Sequence, residues 1–404
     1  MVALSKFFYE NVRNQSCQSL KLHDGNCLLY LLKETPYFAL ANFKYFLPIC
    51  VISILMKLRN MNKQKLRHSL QYYAECSLVC TAVSCTIQFL MCNLRNVMGH
   101  FHLYSFIFLP SVIGACMMNL ASARLRQLLT TTLVQCNIQS FLLRRRNPII
   151  RLIADSKHLQ TFSFMLCSAV ILQGKLLHNT EGFWLLEPNL EASKTKDANY
   201  TSNKCQLHSE TSCTRYIYEG MQKYFLVGLA LDVAKSLTGK TENIVKNQSG
   251  IWGRIKNIRI GSMALLTAYV GIYRFLNCFL RRKFPQNQNH NHIASAFIAG
   301  LCYRISPQTN LFCYALVQAV RTLWSCLKIE HGNSKNQIMR FLLGVPFEKI
   351  LFPLTLGHSC HLICLKPEYC CPLTASVTNN VTNYKANHVQ NIIAKLKQNV
   401  MQVE

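Results

Sequence analysis

Two apolar stretches of this chain repeat one another without insertion, and that duplication limits the possible folds more than any single residue does. The first places Thr81, Ala82, Phe89, Cys92, Leu94 and Arg95 ahead of Gly114 and Cys116. After 186 residues, Thr267, Ala268, Phe275, Cys278, Leu280 and Arg281 stand in the same order ahead of Gly300 and Cys302. A period this long exceeds that of any solenoid repeat. Duplicated bundles of membrane-spanning helices carry such patterns, above all in carriers and channels. Apolar segments draw on few residue types and so match by chance, but Cys-x-Leu-Arg and Gly-x-Cys keep both identity and spacing.

Half of the 404 residues are hydrophobic and only 15% are charged, yet 44 Lys and Arg face 17 acids for a net charge of +27. Charge must therefore be confined to joints between apolar blocks. The basic residues do gather at segment ends, at 57–67, 144–151 and 281–283. Lys and Arg in those places anchor and orient membrane spans, and no recognition motif accompanies them to indicate nucleic acid. Most of the 20 Cys lie inside apolar segments. There a free thiol acts as a small hydrophobe that lets helices approach closely, as expected in a reducing compartment.

The reading along the chain is an all-α, polytopic integral membrane protein of about eight to ten helices in two internally repeated halves. A Cys- and His-containing segment (1–35) precedes the first transmembrane half (36–177). A polar connector (178–220) leads to the second half (221–365), and an Asn-rich tail (366–404) need not pack. Within the first half, 103–121 is uncharged and is the cleanest candidate span. The segment 293–305 is its counterpart in the second half, and 341–365 is an apolar run broken by Pro346 and Pro353.

Four charges fall within apolar segments: Glu75, Asp232, Arg274 and Arg321. Ionisable groups at such places are costly, which makes them candidates for function. Gly114 and Gly300, each followed two residues on by a Cys (Cys116, Cys302), either permit close helix crossing or line an interface between the repeats. Cys17, His23 and Cys27 form a partial metal set, as do His358, Cys360, His361 and Cys364 with Cys370 and Cys371 behind them. Neither supplies two Cys-x-x-Cys pairs, so free thiols are preferred and no metal, cofactor or catalytic residue is assigned. Phosphate-binding loop, nucleophile elbow, zinc-protease helix and dinucleotide fingerprint are all missing, and the expectation is a non-enzyme.

Several elements resemble the transmembrane protein 135 family, also called peroxisomal membrane protein 52. Ala3-Leu4-Ser5-Lys6 precedes Cys17 and Cys27, and His208, Cys213 and Tyr216 stand ahead of a later apolar segment like the family's second Cys-rich entry. The resemblance is densest in Val270-Gly271-Ile272-Tyr273-Arg274, Cys278-Phe279-Leu280-Arg281, His292-Ile293-Ala294 and Ile298-Ala299-Gly300-Leu301. Leu365-Lys366-Pro367-Glu368-Tyr369 echoes a further family element, whereas 187–203 and the chain beyond Pro372 do not.

The resemblance implies a multi-pass protein of peroxisomal or mitochondrial membranes, tied to the balance of mitochondrial fission and fusion, peroxisome organisation and lipid metabolism. It also implies an apolar core similar to the channel-forming subunits of the mitochondrial inner-membrane translocases. In that reading the partners are the lipid bilayer and soluble factors recruited by basic loops such as Arg144, Arg145 and Arg146. The dynamin-related fission GTPase and organelle import factors are the partners to expect. The alternative is a transporter or channel for a lipid or small metabolite, formed between the two repeats.

Overall fold

The computed structural model describes residues 2–56, 62–180, 182, 184–186, 188, 205, 212–238, 260–332 and 336–403. These residues form fifteen α-helices and no strand, more helices than the eight to ten expected from hydropathy. The surplus arises because several apolar runs are broken by turns and because both polar ends of the chain are helical.

The helices are α1 (Val2–Asn11), α2 (Cys27–Met56), α3 (Lys63–Met98), α4 (Phe108–Ala115), α5 (Ala123–Arg144), α6 (Pro148–Asp155), α7 (Lys157–His178) and α8 (Cys213–Thr238). They continue as α9 (Gly261–Lys283), α10 (Gln288–Ala299), α11 (Thr309–His331), α12 (Gln337–Gly344), α13 (Phe347–Leu365), α14 (Pro372–Val381) and α15 (Lys385–Val403). Short 3-10 segments extend α4 through Cys116–Leu120 and α10 through Gly300–Ile305.

Local chemistry fixes many of these ends. Asn62, Ser122, Asn147, Ser156 and Asn336 each accept a backbone N–H with the side chain at a helix N-terminus, which satisfies one of the amides a helix leaves unpaired. Gly99 closes α3 in a left-handed conformation (φ 74°), where a residue without Cβ carries no steric cost.

The chain separates into two compact units that do not follow its halves: residues 1–145 join 346–404, and 146–345 stand together. In the first unit α2 packs along α3, and α13, from the far end of the chain, packs against α4, α5 and α15. Its main core gathers Phe8, Val12, Leu20, Leu22, Met91, Phe101, Phe106 and Ile363. In the second unit α8 packs along α9, and α7 lies against α10 and α11. Phe164, Ile171, Leu172, Tyr269, Val270, Tyr303 and Phe312 are buried there.

Two expectations are corrected. The cleanest candidate span, 103–121, is only α4 plus its 3-10 extension, Phe108–Leu120. At about 1.5 Å per residue it falls well short of the ~30 Å hydrocarbon thickness. Its apolar character serves packing instead, with Phe106, Ile107, Ala115, Met118 and Ala121 all buried. A short apolar run cannot be told from a core helix by hydropathy alone.

The tail also packs, although 366–404 was expected to be free. On α15, Val389 and Ile393 are buried with Ile392 and Leu396 partly so, in the first unit's core, a stripe at helical spacing that overall polarity concealed. Asn42 Nδ2 donates to the carbonyl of Val381 at 3.0 Å, and Lys385 pairs with Glu34 at 2.9 Å. Ile393→Ala is expected to destabilise the full chain by about 2–5 kcal/mol, read as a lowered thermal midpoint of the purified protein. An unchanged midpoint would mean that α15 is dispensable to the core.

Candidate metal centre

Among the described residues, two groups of thiol and imidazole donors converge, with ligand atoms inside each group all within 4.8 Å of one another. The first is Cys17, His23, Cys27 and Cys92; the second is Cys205, Cys213 and Cys278. No cysteine of the chain is in a disulfide.

The first group is built by a tight loop between α1 and α2. Leu22 N–H donates to the carbonyl of Cys17 at 2.9 Å, and Lys21 takes a left-handed φ of 54°, folding His23 back over Cys17. Gly25, at φ 71°, makes the second reversal, and Gln18 Nε2 ties its carbonyl at 3.1 Å. Asn26 then opens α2 by accepting Leu28 N–H at 2.9 Å, so that Cys27 is the first helical residue.

Cys92 arrives from α3, where Met91 and Cys92 face the core. Its sulfur lies 3.4 Å from His23 Nε2. The imidazole is stacked on Tyr30 with centroids 4.7 Å apart, while its Nδ1 is buried without a hydrogen-bond partner. Cys17, His23 and Cys92 are each no more than 5% exposed, and Cys27 is half-buried. Hydrogen bonding from Cys92, then the neighbouring His23, brings the Cys17 thiol down to about 6 against the upward push of burial. That favours thiolate, the form that binds metals and attacks electrophiles.

The second group sits where α8 begins against α9. Ser212 accepts Arg215 N–H at 3.3 Å and starts α8, placing Cys213 as its first residue beside Cys278 of α9. Arg282 Nη2 donates to Cys213 Sγ at 3.2 Å. Arg281 is 6% exposed, with Nε and Nη1 lacking hydrogen-bond partners. Cys205 and Cys278 act on its charge electrostatically. Burial holds the Cys213 thiol above its ordinary value, with the Arg282 charge pulling the other way. His208 falls outside the described residues.

The thiols of α3 and α9 were read from sequence as packing residues, and the first cluster as incomplete. Cys92 is separated from Cys27 by the length of two helices, so proximity in sequence could not find it. The signal that could have is the 186-residue period, which relates Cys27 to Cys213 as well as Cys92 to Cys278.

The distal set does not converge in this way. His358 stacks on Phe141 at 5.3 Å and bonds Asn137. His361 stacks on Tyr104 at 5.6 Å, while Cys360, Cys364, Cys370 and Cys371 are buried among apolar neighbours or bonded to backbone and Gln139.

The four charged candidates have local roles. Glu75 accepts the backbone N–H of Ser122 at the start of α5. Asp232, 3% exposed, accepts Ser262 N–H at 3.2 Å and Met263 N–H at 2.9 Å at the start of α9. Both carboxylates thus meet the positive end of a helix dipole. Arg274 donates to the carbonyl of Tyr216 at 2.5 Å and lies 4.2 Å over its ring, which places it next to the second thiol group. Arg321 is half-buried, and its charge is felt by Tyr314.

The repeat glycines close helix contacts inside their own units. A Cβ on Gly114 would meet Ile87 Cγ1 at 2.6 Å, and one on Gly300 would meet Met165 Cα at 2.6 Å. Cys116 is exposed and Cys302 buried. Arg144 is half-buried at the end of α5, followed by exposed Arg145 and Arg146.

No family model matches this chain, and no solved structure matches it.

Because Asp232 accepts one amide of α9 on each carboxylate oxygen, Asp232→Asn, which keeps a single acceptor, is expected to retain only part of the stability. Asp232→Ala is expected to lose roughly 1–2 kcal/mol. Thermal unfolding of both variants checks this, and equal loss in the two would show that a single acceptor oxygen contributes nothing and the intact carboxylate is required.

Proposed function

We propose that this chain is a polytopic integral membrane protein of a peroxisomal or mitochondrial membrane. It acts without catalysis, as a scaffold through which organelle division and lipid metabolism are regulated. The observation that carries the membrane reading is a set of long helices left apolar on their outer faces.

α3, α7 and α9 are each long and apolar enough to cross a bilayer, and only 33%, 50% and 44% of their most apolar windows are buried within the protein. α9 illustrates the pattern. Tyr269, Val270 and Tyr273 face inward, while Ile272, Phe275 and Phe279 form an exposed stripe on the other side. Val320, Leu323 and Leu327 do the same on α11. Apolar patches of that extent on a protein in water are an aggregation hazard, whereas in hydrocarbon they are at no disadvantage.

Some inward polar groups pair across the second unit. Ser168 Oγ donates to the carbonyl of Ala296 at 2.7 Å, and Tyr269 OH, 2.7 Å from Ser168, accepts Trp184 Nε1–H at 2.9 Å. The organelle, and the role in division and lipid metabolism, follow from the resemblance to the transmembrane protein 135 family. Exposed Arg145 and Arg146 beside Arg144 supply the cationic loop through which soluble partners would dock. Two copies of one helical unit fit the boundaries: α2 and α8, and α5 and α11, start the same 186 residues apart.

The full chain is expected to stay in the pellet through alkaline carbonate washing and to enter solution only with detergent. Tagged protein should coincide with peroxisomal or mitochondrial markers, and neutralising Arg144, Arg145 and Arg146 to Gln should alter organelle shape without changing membrane integration. Extraction by carbonate would overturn the membrane reading. Normal organelle number, shape and lipid content in cells lacking the protein would overturn the regulatory one.

A further inference from the structure

We propose that the two thiol groups are a matched pair of zinc sites, one in each compact unit. Each would tie the segment before a long helix to the helix that packs beside it. The inference is independent of the membrane and organelle reading.

The donor chemistry comes first. Three Cys and one His form a complete ligand set for structural zinc, which binds thiolate and imidazole tetrahedrally with Zn–S near 2.3 Å. Such a site spaces its donors by roughly 3.8 Å. The donors of Cys17, His23, Cys27 and Cys92 already lie within 4.8 Å of one another, so a small contraction of side chains closes the shell. Oxygen-seeking ions such as magnesium or calcium find no carboxylate in either group.

Burial is the second observation. Gathering three thiols and an imidazole at one buried point has no packing advantage over aliphatic side chains, and the Nδ1 of His23 is left without a partner. A metal ion accounts for the convergence, because it turns mutually repelling thiolates into ligands.

The third observation is that the two sites correspond. Cys27 and Cys213 each open a helix, and Cys92 and Cys278 each lie on the next long helix, both pairs 186 residues apart. Cys17 and Cys205 each supply the donor from the preceding loop, Cys205 two positions past the strict period. The Arg of the shared Cys-x-Leu-Arg element follows each helix thiol by about one turn. In the second group that residue, Arg281, is buried with unpartnered nitrogens. Its charge offsets the net negative charge left when three thiolates bind one divalent ion. Three thiolates leave one coordination position there for water or another donor.

The test uses the full chain, purified in detergent without added metal and freed of loose ions by gel filtration. Elemental analysis is expected to find about two zinc ions per chain. Cys17→Ser and Cys92→Ser should each remove one, and Cys278→Ser should remove the other. Wild-type protein alkylated with iodoacetamide before and after strong chelation should show Cys27 and Cys213 becoming reactive only after zinc is removed. This readout holds even where a variant fails to fold.

Folded protein without bound metal, or thiols whose reactivity is unmoved by chelation, overturns the proposal. So does iron with acid-labile sulfide, or a disulfide among these cysteines. One ion per chain, lost with Cys17→Ser and kept in Cys278→Ser, would overturn the pairing.

Discussion

Helix ends govern this fold. With no strand among the described residues to share hydrogen bonds, each backbone group that leaves a helix must find a partner at the break. Where breaks are exposed, neighbouring Asn and Ser side chains suffice. At the enclosed start of α9 the partner is brought from another helix, Asp232 of α8, whereas at the exposed start of α5 Glu75 of α3 adds to the cap that Ser122 supplies. These carboxylates would be expensive in an apolar setting if they stood alone. Set against a helix dipole and two amides for Asp232 or one for Glu75, they hold neighbouring helices in register.

The same constraint explains why the compact units cut across the chain. α7 and α13 both follow short amphipathic helices and both bury one face, yet each lies in the unit built mainly from the other half of the sequence. α13 fits against α4 because Gly357 has room for no side chain beside Val112 and Phe108. α7 fits against α10 and its 3-10 extension because Gly300 allows the backbone of Met165 to approach. Small residues at these crossings select the partner through backbone distance, in the manner of membrane helix pairs.

Much of this was legible in the sequence. The all-helical class, the long apolar helices and the break at Pro346 could be read from residue type, whereas the break expected at Pro353 is absent, because that proline lies inside α13. The fate of 103–121 and of the tail could not, because burial depends on what lies opposite. An uncharged segment became core rather than span, and an Asn-rich segment became a core helix through a few apolar side chains at helical spacing. The candidate site failed for a related reason. Cys17, His23 and Cys27 were visible as a cluster, but Cys92, a helix pair away, was read as a packing thiol. Only position in the fold separates a thiol that fills space from one that meets other donors.

Glu75 and Asp232 cap helices, Arg274 covers Tyr216 and the two glycines close helix contacts. The convergent thiols contact chiefly one another, His23 and Arg282. The hydrogen bonds made by cysteine are weak, and an apolar core gains nothing from three sulfurs and an imidazole that hydrocarbon would not supply. Each group sits where a long helix meets the loop preceding its partner, the point at which a helical hairpin is least constrained by its own backbone. A few strong metal–ligand bonds there would fix the entry of the chain into each helix pair, where hydrophobic burial is divided between the protein's interior and its apolar exterior.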